Sequence, residues 1–156
     1  MQNNSALAVR LREVMLNGRW IANTNLREQL LTVSWQQATQ KVGNLNTIAL
    51  LTFHLNYYLE GLLQVCNGGP LEIRDQYSFD MPPVTAAADW DLLVQRFLQN
   101  AESFAAAVEN MPATQLEQPF VAEKYGTWLR NIEGVIEHSY YHFGQVSLLK
   151  KMTAES

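Results

Sequence analysis

Apolar residues recur at every third or fourth position in four stretches of the chain, which is the spacing of one buried face of an α-helix. The pattern predicts helices over residues 5–17, 47–65, 89–111 and 127–151, and none of the five prolines falls inside them. Because each of these helices has an apolar face to bury, the pattern favours an all-α fold. We expect an antiparallel four-helix bundle that forms one domain over residues 1–156.

The same spacing predicts which residues of each helix face the core. In chain order the four faces are Leu7, Leu11, Val14 and Met15; Leu50 or Leu51, His54, Tyr58, Gly61 and Val65; Trp90, Leu93 or Val94, Phe97, Ala101, Phe104 or Ala105, and Val108; and Trp128, Ile132, Val135, Ser139, His142, Val146 and Leu149. The four tryptophans are expected to anchor the core or the connections. Ser5, Asn46 and either Asp89 or Thr85 are the expected caps of the first three helices.

The segments between the helices differ in length and pattern. After the first helix, a weaker helical pattern includes Trp20, and Ser34 is expected to cap a short turn that ends at Lys41. Residues 71–88 show neither a helical nor a strand period, so we expect a long connection that packs over one end of the bundle. Connections of this length are uncommon and often functional. Residues 112–124 form the second connection.

Charge and composition narrow the class of protein. The chain carries 15 acidic and 11 basic residues, a net charge of −4, and its one basic cluster is the Lys150–Lys151 pair. Binding to nucleic acid by neutralising phosphates is therefore not expected. The single cysteine, Cys66, excludes an internal disulfide and fits a reducing compartment. With no secretory signal and no apolar run long enough for a membrane span, the sequence predicts a soluble, cytoplasmic protein.

All three histidines of the chain fall on predicted helices. His138 and His142 stand four residues apart, so their imidazoles project from the same side of the last helix, and His54 lies in the middle of the second. The three could meet inside a bundle and bind one divalent ion, or they could be ordinary core and surface histidines. Imidazole ligands suit Zn, Ni, Cu or Fe, and three protein ligands leave coordination positions open for a small-molecule substrate or water.

Neighbouring residues make peptidase chemistry a poor fit. Ser139 follows His138 at the position where the helix of a zinc peptidase carries its glutamate. Glu137 projects about 100° away from His138, so it is expected to be solvated or to hold a ligand in place. Cys66 lies about 18 Å beyond His54 along a continuous helix and is expected to be a structural thiol.

Two residues near the histidines are candidates for a catalytic role. Gln145 lies one turn beyond His142 and two turns beyond His138 on the same face. It could hold a ligand imidazole or a metal-bound water, or it could be a buried glutamine that bonds a neighbouring backbone. Tyr58, one turn after His54, could donate its phenol to a substrate oxygen, or it could pack in the core with a solvated hydroxyl.

Two segments of the chain resemble the DinB/YfiT-like superfamily of small bacterial proteins. Asn46-Thr-Ile-Ala-Leu-Leu-Thr-Phe-His54 is similar to its second-helix signature, and Ile136-Glu-His138-Ser-Tyr-Tyr-His142-Phe-Gly-Gln145 is similar to its last-helix signature. The resemblance implies an up-down-down-up four-helix bundle, often a homodimer, with a divalent metal bound by His54, His138 and His142. Some members of that family use low-molecular-weight thiols to attack electrophiles.

Two classes of function follow from the residues and the resemblance. In the first, the protein is a metal-dependent transferase or hydrolase that activates a low-molecular-weight thiol, or water, against a small electrophile, with Gln145 or Tyr58 orienting the partner. In the second, the metal only stabilises a non-catalytic binding or stress-response protein. An ion that solvent can reach favours the first class, and a closed site favours the second.

Overall fold

A computed structural model of the chain describes residues 3–154. Within that range the fold is all-helical and has no β-strand, only an isolated bridge between Pro119 and Thr127. The six α-helices are α1 (Asn4–Arg12), α2 (Leu26–Leu31), α3 (Trp35–Thr39), α4 (Ile48–Cys66), α5 (Ala87–Asn110) and α6 (Trp128–Met152). A π-helical turn, Glu13–Asn17, continues α1, and three 3-10 turns lie at Asp75–Tyr77, Ala113–Glu117 and Glu123–Tyr125.

The number of helices differs from the sequence prediction. The all-α class is confirmed, but the predicted four-helix bundle is not, because the 3–154 range contains two further short helices, α2 and α3. These helices pack against the longer ones, α2 against α5 and α6, and α3 against α4 and α5. The bounds of α4, α5 and α6 agree with the predicted ranges to within two residues. None of the helices in this range is long and apolar enough to cross a membrane.

The longer helices surround one apolar core. α5 packs against both α1 and α4, and α6 packs against α4 and α1. Most of the predicted core faces are buried as expected, and the structure selects Leu51 over Leu50, Val94 over Leu93, and both Phe104 and Ala105. Four residues of the predicted faces are only half-buried, namely Tyr58, Val65, Trp128 and Val135. α4 and α6 contribute several buried polar residues, which include His54 and His142.

Two of the predicted N-caps are wrong by one or two residues. Asn3 caps α1, since its side chain accepts a hydrogen bond from the backbone N–H of Ala6, and Ser5 lies inside the helix. Thr47, and not Asn46, caps α4. In each case a neighbouring residue also has a suitable side chain, so the sequence alone does not determine the choice.

The two residues predicted as alternative caps of α5, Thr85 and Asp89, both lie at its start, but neither is the N-cap. The N-cap is Ala86, whose side chain makes no hydrogen bond. Asp89, in the first turn, instead accepts a hydrogen bond from the backbone N–H of Thr85 at 3.0 Å. The carboxylate therefore reaches back across the helix start and also places negative charge near the positive end of the helix dipole.

The prediction that Trp20 anchors the core or a connection is wrong. Trp20 is 85% exposed and lies in a non-helical segment between the π-helical turn and α2. Ala22 and Asn23 in this segment have φ values of 59°, in the left-handed region that a continuing helix does not use. Trp90 behaves as predicted, since it is buried and its indole N–H donates to the carbonyl of Val33 at 2.9 Å.

The long connection between α4 and α5 runs back along α4, and does not cover an end of the helices as predicted. Ile73 lies against Gly61 of α4. Tyr58 lies three residues before Gly61, and its phenol donates to Asp75 of the connection. One further turn back, the ring of His54 contacts the carbonyl of Ser78. The connection thus follows α4 antiparallel over about two turns and ends beside a histidine.

Two glycines within helices should respond in opposite ways to alanine. A Cβ at Gly61 would lie 2.2 Å from Cγ2 of Ile73, whereas a Cβ at Gly134 would have only Nη1 of Arg130 nearby, at 4.0 Å. We expect Gly134→Ala to stabilise the fold by about 1 kcal/mol through helix propensity. Gly61→Ala should destabilise it by about 1–3 kcal/mol through overpacking.

Urea unfolding of both variants provides the measurement, and Gly144→Ala is the matched control. A Cβ at Gly144 meets nothing within 4 Å, so this variant should behave like Gly134→Ala. Equal stabilities of the Gly61 and Gly134 variants would contradict the close packing of the connection against α4.

Candidate metal centre

Three histidines from two helices converge on one point. His54 comes from the buried face of α4, and His138 and His142 come from adjacent turns of α6. The Nε2 atom of His138 lies 3.0 Å from Nε2 of His54 and 3.0 Å from Nε2 of His142. One ring nitrogen from each of the three lies within 4.8 Å of the other two, so the cluster could hold a metal ion.

Carbonyl oxygens fix the orientation of two of the rings. Nδ1 of His54 faces the backbone carbonyl of Ser78 at 3.3 Å, and Nδ1 of His142 faces Oε1 of Gln145 at 2.7 Å. A carbonyl oxygen only accepts hydrogen bonds, so both Nδ1 atoms must carry the proton. The Nε2 atoms of these two rings are therefore unprotonated when the rings are neutral, and their lone pairs point towards His138. Metal-binding histidines are commonly held in this way.

The spacing of the nitrogens fits a transition metal ion. Two nitrogens about 2.05 Å from the same ion are about 2.9 Å apart at a right angle and about 3.3 Å apart at a tetrahedral angle. The observed separations of 3.0 Å lie within that range. A proton on Nε2 of His138 can be directed to only one of its two neighbours, which leaves the lone pair of the other neighbour without a donor. A cation between the three nitrogens satisfies all of them.

Burial favours the neutral form of His54 and His138, which is the form that a metal requires. Burial, followed by the nearby His142 and His54, lowers the pKa of His138 to about 4. Burial also lowers the pKa of His54, and the adjacent His142 lowers it further. Both imidazoles are therefore neutral near pH 7 and have a free electron pair to share with an ion.

The α4–α5 connection forms one wall of the site. Phe79 stacks on the ring of His54, with centroids 4.1 Å apart and planes inclined by 4°. Ser78, on the same segment, is buried and supplies the carbonyl that orients His54. These two residues and Asp75 were not identified from the sequence, because a connection without periodicity does not reveal which of its residues turn inwards. The length of the connection was the only signal.

The two residues predicted as catalytic both lie beside the cluster. Gln145 makes the hydrogen bond to His142 that the sequence analysis considered. The phenol of Tyr58 packs edge-on against both His54 and His138, and it donates to Asp75 at 2.6 Å. Burial, followed by this hydrogen bond, raises the pKa of Tyr58 to about 12. Catalytic roles for Gln145 and Tyr58 stay predictions.

Two further residues considered from the sequence lie apart from the cluster. Glu137 points outwards and pairs with Arg130 at 3.2 Å on the exposed side of α6. Cys66, at the end of α4, is half-buried, and burial raises the pKa of its thiol to about 11. A thiol with so high a pKa is a poor nucleophile and a poor metal ligand near pH 7.

A cavity of about 700 Å³ leads to the histidines. It lies between α4, α6 and both long connections, and Tyr58 and His138 belong to its lining. His54 and His142 are each only 7% exposed, so the cluster is approached from the side of His138. The volume is in the range of small-molecule binding sites.

Comparison of the chain with models of known families, with curated proteins and with solved structures gives no match. The geometry of the described residues therefore carries the functional argument.

Proposed function

We propose that this protein binds a divalent transition metal, Zn, Ni or Fe, through His54, His138 and His142, and acts as a metal-dependent transferase or hydrolase. In the reaction, a low-molecular-weight thiol, or water, would attack a small electrophile. This activity is implied by the resemblance of the segments around His54 and His138 to the DinB/YfiT-like superfamily, some members of which use low-molecular-weight thiols in this way. Support comes from the cluster itself and from the cavity beside it.

One observation carries the proposal: ring nitrogens of three histidines converge on one point, and the Nδ1 atoms of two of the rings face carbonyl oxygens. Nδ1 of His54 and Nδ1 of His142 hold their protons against Ser78 and Gln145. His54 and His142 are each only 7% exposed, and an unpaired lone pair on so buried a side chain is costly. A bound cation removes that cost, and no other arrangement of protons on neutral rings does so for all three nitrogens.

The residues around the cluster have separate roles in this proposal. His54, His138 and His142 would hold the ion as neutral imidazoles, so it would keep its full positive charge and would lower the pKa of a thiol or water that reaches it. Gln145 and the Ser78 carbonyl keep two of the ligand rings in position, and Phe79 covers His54. Asp75 lies in the wall of the same cavity and accepts the hydrogen bond from the phenol of Tyr58.

The cavity favours a catalytic protein over a non-catalytic one stabilised by metal. His138 lines an open space of about 700 Å³, so a small molecule can approach the cluster without unfolding the site. A purely structural ion is typically closed off by a fourth protein ligand. Among the residues described, the group that could hold an ion comprises only the three histidines.

The test follows the consumption of a thiol by a chloro- or epoxide-type electrophile. A free thiol of pKa about 8.5 is only a few per cent ionised at pH 7, so full ionisation can raise its rate up to about 30-fold. We expect metal-loaded protein to be faster than metal-free protein by up to this factor. The Cys66→Ala variant should keep the wild-type rate, because the nucleophile comes from solution.

The His138→Ala variant is the matched control, since it removes a ligand that lines the cavity and leaves Cys66 in place. Equal rates of metal-loaded and metal-free protein across several bacterial thiols, and in hydrolysis assays, would exclude catalysis. The non-catalytic metal-binding protein would then be the remaining function.

A further inference from the structure

The cavity beside the histidines has an apolar wall and a positively charged rim. Its apolar lining includes Leu62, Leu71, Ile73, Phe120, Tyr125 and Val135. The charged side chains of the lining are Arg74, Arg130 and Asp75, two positive and one negative, in a chain whose net charge is −4. The charged lining thus carries a net +1 (two arginines less one aspartate), and a bound metal would add positive charge to it.

The two arginines are the groups available to recognise an anion. Asn131 also lines the cavity, but its amide N–H groups already donate to the carbonyls of Tyr125 and Thr127, both at 2.8 Å. Arg130 pairs with Glu137, but both side chains are more than half exposed, and such pairs are weak. The guanidinium of Arg74 makes no ion pair or hydrogen bond with residues 3–154, so it is free to bind a ligand.

A continuous floor connects the charged rim to the histidines. Arg130, Gly134 and His138 are spaced four residues apart, so they lie along one face of α6. Gly134 has no side chain, and a Cβ there would approach only the guanidinium of Arg130, at 4.0 Å. The guanidinium of Arg130 therefore lies over Gly134, and it also reaches Glu137 at 3.2 Å. The rise from residue 134 to residue 138 is about 6 Å, so an anion held by this guanidinium would lie about one helical turn from His138.

We propose that the cavity binds a molecule with an oxyanion, a carboxylate or a phosphate, at Arg74 and Arg130 and an apolar body against the wall that includes Leu62, Leu71 and Ile73. The opposite end of the molecule would reach His138. This proposal rests on the proposed function and deepens it, because it assigns the class of thiol or electrophile: a molecule that carries an anionic group about one helical turn, roughly 5 Å, from its reacting atom. Arginine forks match both oxyanions, and the apolar wall selects against small inorganic anions.

The test measures binding and needs no turnover. The probes are 4-phenylbutyrate, its neutral amide 4-phenylbutyramide, and 2-phenylethyl phosphate, titrated calorimetrically into metal-free and zinc-loaded full-length protein. We expect the carboxylate or the phosphate to bind at least about 10-fold more tightly than the amide, since charge-assisted bonds to arginine are stronger than neutral ones. Whichever of the two anions binds more tightly identifies the oxyanion.

Variants locate the site. Arg74→Gln and Arg130→Gln should each reduce the preference for the anion several-fold, and the corresponding lysine variants should restore part of it. Gly134→Leu should abolish binding of all three probes by filling the floor of the cavity. Arg96→Gln, at an exposed arginine of α5 that does not line the cavity, should change nothing.

The outcomes separate this inference from the proposed function. Equal affinity for the amide and the anions, unchanged preference in both arginine variants, or no binding of any probe at millimolar concentration would overturn the anion site. Zinc content is measured on the same samples. Loss of zinc binding with anion preference intact would refute the metal-dependent function alone, and retained zinc without anion preference would refute this inference alone.

Discussion

Replacing any one of His54, His138 and His142 by alanine should lower the affinity of the protein for Zn²⁺ by at least about 100-fold. Loss of a residue that only orients a ligand typically costs 10–100-fold, and loss of the ligand itself should cost more. The three Nε2 atoms share one site, so each substitution leaves an ion with two protein ligands. Competition with a chelator of known affinity measures the dissociation constants for Zn²⁺. Elemental analysis after dialysis should find about one ion per chain of the wild type.

Graded controls distinguish the site from general damage to the fold. Gln145→Leu removes the hydrogen bond to Nδ1 of His142 and keeps the three ligands, so its affinity should fall by about 10–100-fold. Gln99→Ala, at an exposed position of α5, should leave the affinity for zinc unchanged. Circular dichroism of each metal-free variant verifies that the helices form. A triple alanine variant that retains zinc as tightly as the wild type would show that the ion binds elsewhere.

The second large effect expected is a metal-dependent stability that disappears in acid. An ion that binds only the folded chain adds about 2.7 kcal/mol when its concentration is 100 times its Kd, or roughly 5–10 °C in Tm for a chain of this length. Protons compete with the ion for the same nitrogens. Because the pKa of His138 in the fold is about 4 and that of His54 is also lowered, competition begins at lower pH than for free imidazole, whose pKa is about 6.5. The difference in Tm between metal-loaded and metal-free protein should persist below pH 6.5 and vanish towards pH 4.

The metal-free protein should also lose stability over the same range of pH. Between pH 6.5 and about 4, His138 is protonated in the unfolded chain but neutral in the folded one. The unfolded state then binds more protons, so the free energy of unfolding falls as the pH is lowered through this window, by on the order of 2–3 kcal/mol. His138→Phe, which removes the titrating group, should weaken this dependence.

Thermal melts at pH 7.5, 6.5, 5.5 and 4, with and without zinc, provide both measurements. A difference in Tm between the two forms that stays constant down to pH 4 would argue against histidine ligands. If the difference in Tm were already lost at pH 6.5, this would argue against the lowered pKa values of His54 and His138.

The sequence by itself determined the long helices and the two adjacent turns of α6 that carry His138 and His142. The apolar period of α4, α5 and α6 is local information, because every core residue on a helix repeats at a fixed spacing. The same rule placed His138 and His142 on one face of α6, four residues apart. Gln145 is also local to His142, and the hydrogen bond between them spans three residues. Periodicity could not decide between neighbouring caps, as at Asn46 and Thr47, because both side chains can make the bond.

Only the tertiary structure decided which residues complete the site. The approach of His54 to His138 joins positions 84 residues apart, and it depends on how α4 packs against α6. The chain from 71 to 88 has no period, so nothing local shows that it turns back along α4. That path brings Asp75 to Tyr58, the Ser78 carbonyl to Nδ1 of His54 and Phe79 onto its ring. These contacts arise because Gly61 lets Ile73 approach the helix, and they depend on side chains that meet through space and not along the chain.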